Sequence, residues 1–321
     1  MRLLRFFQPA LLFLLVSALH SHADGGTLDS ERQNPGRLVR LTVVYTANSS
    51  GKLTACGCPG DPYGGLAERA TLLKRLREKE KPFLLLDAGN MVSLFGDFAE
   101  RAACVMRLMN LMGYDAAGVG RQEMFRNIPS ARAMSRAADF PFLSAAIADK
   151  SGAQPVFTPS VIKSIGGVRV GITSVCDSNA YIPDLNRVFD YSVLPLDKAL
   201  KPVLAAMEGK TDCIVVLSQM DTPDNEKLLR MYPSIDLVIE GYGNRALEKP
   251  LSVAVSREHK NVSNGYIVSP GGRGQYVGLI TLEKNGSSPP DMKRSELSEV
   301  LDIPADKRAN DIIRAYYRKE R

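Results

Sequence analysis

Between residues 40 and 243 the chain alternates short apolar runs with longer stretches of helical spacing, and this alternation restricts the fold more than any other feature. Strands are expected over 40–46, 83–89, 116–120, 141–147, 168–176, 212–219 and 235–243. Helices are expected over 65–79, 99–112, 130–138, 197–207 and 225–231. In the first helix Leu66, Leu72, Leu73 and Leu76 share one face, and Gly113 stops the second. Such switching between periods predicts an α/β protein with mostly parallel central strands. Residues 265–271 and 276–283 read as a closing β-pair, 285–294 as a linker, and about 304–321 as a charged helical tail.

The first residues carry a different message. Arg2 and Arg5 precede an apolar stretch at 10–19, and Ser21-His22-Ala23 has the small-x-small form of a cleavage site. This three-part pattern predicts a secretory signal peptide over 1–23. The apolar stretch is half of the roughly 20 residues needed to span a bilayer, so removal is expected rather than anchoring, with no membrane span afterwards. The expected location is periplasmic or extracellular. A polar, flexible segment follows at 24–39, then a single domain at 40–284, and the linker and tail at 285–321. The formal charge of +6 falls to +4 when Arg2 and Arg5 leave, because no acidic residue leaves with them. That balance is too mild to argue for a nucleic-acid partner.

In open α/β sheets, function gathers at the carboxyl ends of the strands. Those ends read "TANSSG", "LDAGN", "GVGRQEM", "VLSQM" and "EGYGN". Their order, together with "GGLAERATLLKRLR", "LMNLMGYDAAGVGRQE", "PFLSAAI" and "IDLVIEGY", resembles the calcineurin-like metallophosphoesterases, specifically the catalytic domain of periplasmic 5'-nucleotidases. The resemblance covers about residues 41–283. It implies a four-layer αββα sandwich with two facing sheets. It also implies two metal ions held by D-x-H, G-D, G-N-H-E, a lone His and G-H-x-H, with a metal-activated hydroxide attacking phosphorus.

At those positions this sequence departs from the pattern. D-x-H reads Asn48-Ser49-Ser50, G-D reads Gly89-Asn90, and G-N-H-E reads Gly120-Arg121-Gln122-Glu123. The lone His is Gln219, and G-H-x-H reads Gly241-Tyr242-Gly243-Asn244. The chain has three histidines, and His20 and His22 would leave with the leader, so His259 alone remains. Neutral amides are poor ligands for divalent ions. The expectation is therefore a pocket without metal, in which Asn48, Asn90, Gln122, Gln219 and Asn244 hydrogen-bond one another. Asp87, Glu123, Asp221 and Glu240 remain near the strand ends, as caps and ion-pair partners or as a weaker oxygen site for a divalent metal. Arg121 would repel a cation, and its guanidinium suits a small anionic ligand.

Cys56 and Cys58 stand on the loop after the first strand, which the resemblance implies borders the mouth of the same pocket. The neighbouring helix N-terminus, Lys52 and Arg69 would favour a thiolate there. A C-x-C disulfide closes a strained ring and suits exchange with an unknown redox partner. The same pair could instead hold Cu(I) or pin the loop structurally. The motif is similar to a nucleotidase-like branch carrying Cys-Gly-Cys here, in some members with selenocysteine. Cys104, Cys176 and Cys213 read as internal, and five cysteines cannot all pair within one chain. Three functions stay open: a non-hydrolytic thiol exchange protein, a non-catalytic anion- or partner-binding module, and a residual metal-dependent phosphoesterase.

Overall fold

A computed structural model describes residues 38–55, 61–177, 191–256, 262–285 and 288–319. Four parallel strands open the first sheet: β1 (Leu38–Thr46), β2 (Leu84–Asp87), β3 (Ala116–Gly118) and β4 (Phe142–Leu143). Short β5 (Ile147–Asp149) pairs with β8 (Tyr191–Val193) apart from both large sheets. The second sheet is built from β6 (Ser160–Ile165), β7 (Val168–Cys176), β9 (Cys213–Gln219), β10 (Leu237–Glu240), β11 (Leu251–Ser256) and β12 (Val262–Val268). Its order is β11-β12-β10-β9-β7-β6, with β7, β9, β10 and β12 parallel and the edges antiparallel. Finally β13 (Tyr276–Asn285) and β14 (Asp291–Glu299) complete the first sheet, in the order β14-β13-β1-β2-β3-β4.

Side-chain alternation explains why the sheets stack. Val43 and Tyr45 of β1, Leu84 and Leu86 of β2, and Val215 and Leu217 of β9 point into one apolar core between the sheets. Their neighbours Val44, Leu85 and Val216 point the other way and pack beneath helices. A strand buried on both faces reads as a continuous apolar run, which is why "FLLLD" and "CIVVL" are so plain in the sequence. Each such side chain taken fully out of water contributes about 1.5–3 kcal/mol.

The helices form the two outer layers, so the four-layer sandwich expected from the sequence is the observed architecture. They are α1 (Leu66–Lys79), α2 (Phe98–Met112), α3 (Arg121–Met124), α4 (Ile128–Ala137), α5 (Leu196–Met207), α6 (Thr222–Met231) and α7 (Lys307–Lys319). Local chemistry fixes their ends. Asp97, Asn127 and Asp221 accept N–H bonds as N-caps of α2, α4 and α6. Gly113 closes α2 in the left-handed conformation at φ 68°.

Three sequence expectations are corrected: the closing β-pair, the linker and the single strand over 141–147. Residues 265–271 and 276–283 do not pair: β12 lies beside β10 in the second sheet, and β13 lies beside β1 in the first. The linker reading of 285–294 fails at residues 291–294, which open β14, an edge strand along β13. The helical tail expected over about 304–321 is present as α7, docked with Ala309, Ile313 and Tyr316 buried against α1 and α2. One strand expected over 141–147 is divided between β4 and β5. Residues 1–37, including the leader, lie outside the described residues, as do Cys56, Cys58 and His259. Among the described residues, no helix is long and apolar enough to cross a membrane.

Candidate functional site

The carboxyl ends of β1, β2, β9 and β10 meet at one edge of the sandwich. There the amide side chains form a closed lattice. Asn90 Nδ2 donates to Asn48 Oδ1 at 2.9 Å and to Gln219 Oε1 at 2.8 Å. Asn48 Nδ2 donates to the Gly243 carbonyl at 2.6 Å and the Gly271 carbonyl at 3.3 Å. Gln219 Nε2 donates to the carbonyls of Ala88 at 2.5 Å and Gly241 at 2.9 Å. A primary amide has two N–H donors, so all three are fully engaged inside the protein. Asn90 Oδ1 in turn accepts from the Gln122 backbone N–H at 3.1 Å. The Gln122 side chain lies over the same loop, its nitrogen facing the carbonyls of Val92 at 2.6 Å and Asn90 at 3.0 Å. Its oxygen accepts from Ser50 Oγ at 3.0 Å.

The backbone around this lattice is held in an uncommon conformation. Asn48, Ser50 and Asn90 have φ of 49°, 47° and 57°, in the left-handed region that L-residues rarely occupy. Backbone bonds hold the two loops together: Asn48 N–H to Gly89 O at 2.9 Å, Ser50 N–H to Asn90 O at 3.0 Å, and Gly51 N–H to Met91 O at 2.9 Å. Such strain persists only where the surroundings over-determine it.

Each remaining carboxylate is engaged structurally. Glu123, fully buried, accepts backbone N–H bonds from Gly120 (2.8 Å), Asn90 (3.0 Å), Met91 (2.7 Å) and Val92 (3.4 Å). Burial pushes its pKa up and these N–H groups pull against that. Asp87 accepts from Thr46 Oγ1 at 2.6 Å and from Gly89 N–H at 2.8 Å. Burial raises its pKa as well, opposed first by the charge of Arg69. Asp221 caps α6, and Glu240 accepts from Thr222 Oγ1 at 2.8 Å and Asn225 Nδ2 at 3.0 Å.

The two-metal set that the resemblance implies does not fit these residues. The atom at the centre of the lattice is an amide nitrogen with two donating hydrogens, and the carboxylates nearby already accept N–H or O–H bonds. Among the described residues no three His, Cys, Asp or Glu side chains group as metal ligands.

The other expected site residues divide into two sets. Asn48, Ser50, Asn90, Gln122 and Gln219 come together as expected. Tyr242 and Asn244 do not join: both are exposed, and Asn244 lies against Gly272. Arg121 is half-buried on α3, its Nε buried without a hydrogen-bond partner among the described residues, and its charge acts on the Tyr191 hydroxyl. Cys104, Cys176 and Cys213 are buried, and burial pushes the Cys104 thiol up to about 11.

The surroundings expected to activate Cys56 and Cys58 are also corrected. Arg69 is 1% exposed and turned inward, 4.0 Å from Asp87, with Tyr114 Oη at 3.3 Å. Lys52 is paired with Asp61 at 2.8 Å. The first N–H groups of α1 are already engaged: Leu66 donates to Lys52 O at 3.0 Å and Ala67 to Leu53 O at 3.1 Å. Gly65 donates to the Glu68 carboxylate at 2.8 Å. Sequence reasoning missed the carbonyls of Gly241, Gly243 and Gly271, because a main-chain acceptor leaves no side-chain signal.

No known protein-family profile matches the chain. It is similar to the snake venom 5'-nucleotidase of Gloydius brevicauda, 29% identical over 220 residues, covering 65% of this chain and 36% of that protein. The chain thus spans little more than a third of that relative's length. Among solved structures, a 5'-nucleotidase precursor from Thermus thermophilus superposes with a TM-score of 0.75 at 20% identity, over 88% of this chain and 59% of that one. The calcineurin-like phosphoesterase YfkN of Bacillus subtilis superposes with a TM-score of 0.71 at 18% identity, over 88% of this chain and 98% of that one. The chain therefore has the fold of the calcineurin-like phosphoesterases and resembles the 5'-nucleotidases in sequence, with an amide lattice at the strand ends where the resemblance implies metal ligands.

Proposed function

We propose that this chain is an exported protein that uses the 5'-nucleotidase scaffold without hydrolysing phosphate esters, and that it works by thiol exchange through Cys56 and Cys58. The observation that carries the first half is the saturation of the lattice. Phosphoester hydrolysis on this scaffold needs an activated hydroxide and positive charge spread over the phosphoryl oxygens. Asn48, Asn90 and Gln219 supply neither, and their donors are committed to one another and to main-chain carbonyls.

The second half rests on the sequence and on the base of the loop that carries the cysteines. Lys52 and Asp61 pair across the two ends of that loop, and Leu66 N–H closes back on Lys52 O. These contacts tie the described ends of the loop to each other.

The test uses the mature chain. A glutathione titration followed by mass spectrometry of alkylated peptides is expected to show a Cys56–Cys58 dithiol/disulfide couple. Changing both to Ser is expected to lower the rate of reduction of a small aromatic disulfide at least a hundredfold, with the urea unfolding midpoint unchanged. No exchange by the parent protein would sink the thiol reading. Separately, nitrophenyl phosphate with added manganese, zinc or magnesium is expected to give no turnover above the protein-free rate. Metal-dependent turnover lost with Asp87→Ala would restore the phosphoesterase reading instead.

A second reading, a partner-binding module, is favoured by the loops around the lattice. On 120–127 and 270–275 the exposed charges are Arg126 and Arg273, and on 241–250 Arg245 and Lys249 stand with Glu248.

A further inference from the structure

Two exposed aromatic side chains stand on loops that start from the lattice. Phe95 is 81% exposed and Tyr242 is 45% exposed. Phe95 sits five residues beyond Asn90, at the tip of the turn after β2. Tyr242 sits between Gly241 and Gly243, whose carbonyls accept from Gln219 and Asn48. Each aromatic is followed by a glycine of positive φ, 77° at Gly96 and 76° at Gly243, around which an added Cβ would meet nothing within 4 Å. Both are therefore displayed at turn tips in open space, one from each sheet.

Their bases are rigid. The Phe95 loop is clamped by the Glu123 carboxylate on Asn90, Met91 and Val92, and Phe95 N–H donates to Ser93 Oγ at 3.1 Å. Covering such a ring with a partner would take apolar area out of water. Aromatic and arginine side chains on a pre-ordered base are the composition of binding hot spots.

Cations outnumber acids on three loops around these rings: Arg126 on 120–127, Arg273 on 270–275, and Arg245 and Lys249 beside Glu248 on 241–250. Arg126 lies over the Phe98 ring at 5.5 Å, three residues from Phe95. Arg245 is two residues beyond Gly243 and exposed. Arg273 is held in the left-handed region at φ 57°, with its side chain 63% exposed. Of the acids on these loops, Asp97 and Asp221 cap α2 and α6, Asp61 lies between Lys52 at 2.8 Å and Arg273 at 4.0 Å, and Glu248 is exposed beside Lys249.

We infer that this mouth is a docking face for an acidic polypeptide segment of another protein, with Phe95 and Tyr242 as apolar anchors and Arg126, Arg245 and Arg273 setting its charge preference. The inference builds on the partner-dependent readings above but uses no cysteine, so it and the thiol reading fail separately.

The test is fluorescence anisotropy with a labelled dodecapeptide rich in Asp and Glu that carries two leucines. A version with each acid replaced by Lys, and a version with the leucines replaced by Ser, serve as comparisons. The acidic leucine peptide is expected to bind at least tenfold more tightly than either. The double change Phe95→Ala with Tyr242→Ala is expected to weaken it at least tenfold, and Arg245→Glu with Arg273→Glu by a similar factor that shrinks as salt rises. All four positions are exposed, so the unfolding midpoints are expected to stay put. Equal binding of the Lys peptide, no binding of the acidic one, or indifference to loss of both aromatic rings would each overturn the inference.

Discussion

Replacing Glu123 by Ala is expected to lower the unfolding free energy by about 4 kcal/mol, near the top of the range for single substitutions. The reason is the number of donors that one carboxylate serves. The N–H groups of Gly120, Asn90, Met91 and Val92 all end on its two oxygens, at a residue with no exposed surface. Without it these donors are left in a site that excludes water, each costing about 1–3 kcal/mol unless the loop opens. Urea unfolding followed by circular dichroism measures the loss. Glu123→Gln is expected to cost about half as much, because one oxygen remains and the new NH2 group faces donors. Hydrogen exchange at residues 90–92 is expected to rise in both variants. A Glu123→Ala protein as stable as the parent would mean that the clamp contributes little.

The Asn90→Asp change is expected to cost about 3 kcal/mol in buffer without divalent ions, from two lost hydrogen bonds and a partly buried negative charge. The lattice cannot rotate to accommodate it. Flipping Asn48 would aim its oxygen at the carbonyls of Gly243 and Gly271, and flipping Gln219 would aim its oxygen at Ala88 and Gly241. The new carboxylate would therefore face Asn48 Oδ1 and Gln219 Oε1, placing three oxygens around one point, the arrangement that hard cations prefer. Millimolar calcium, magnesium or manganese is expected to raise the melting temperature of this variant while leaving the parent unmoved. A metal response equal in both proteins would show that the lattice is not what excludes cations.

The fold was legible wherever strands are buried on both faces. Runs such as "FLLLD" and "DCIVVLSQ" leave one reading, and β2 and β9 lie inside them. The edges were not. In β14, "DMKRSELSE" alternates exposed and half-buried positions and carries charges throughout, so its composition matches a linker. Strand identity also says nothing about partners: 265–271 and 276–283 were readable as strands, yet only the burial of Tyr266 and Val268 opposite β10 and of Leu279 and Ile280 beside β1 sends them to different sheets. At the site, the amides were visible from their positions at the strand ends. Which of them meet depends on side-chain direction and loop geometry, so Asn244 could not be separated from Asn48. The inward turn of Arg69 was hidden for the same reason.

The lattice draws Asn48 and Asn90 from one sheet and Gln219, Gly241 and Gly243 from the other. It is a cross-brace made entirely from the chain's own atoms, present as soon as the polypeptide folds. The bonds of this brace are closed by side-chain amides and main-chain carbonyls, with no ion among their partners. The brace itself would then form in the act of folding, with both sheets locked at the edge where their loops begin.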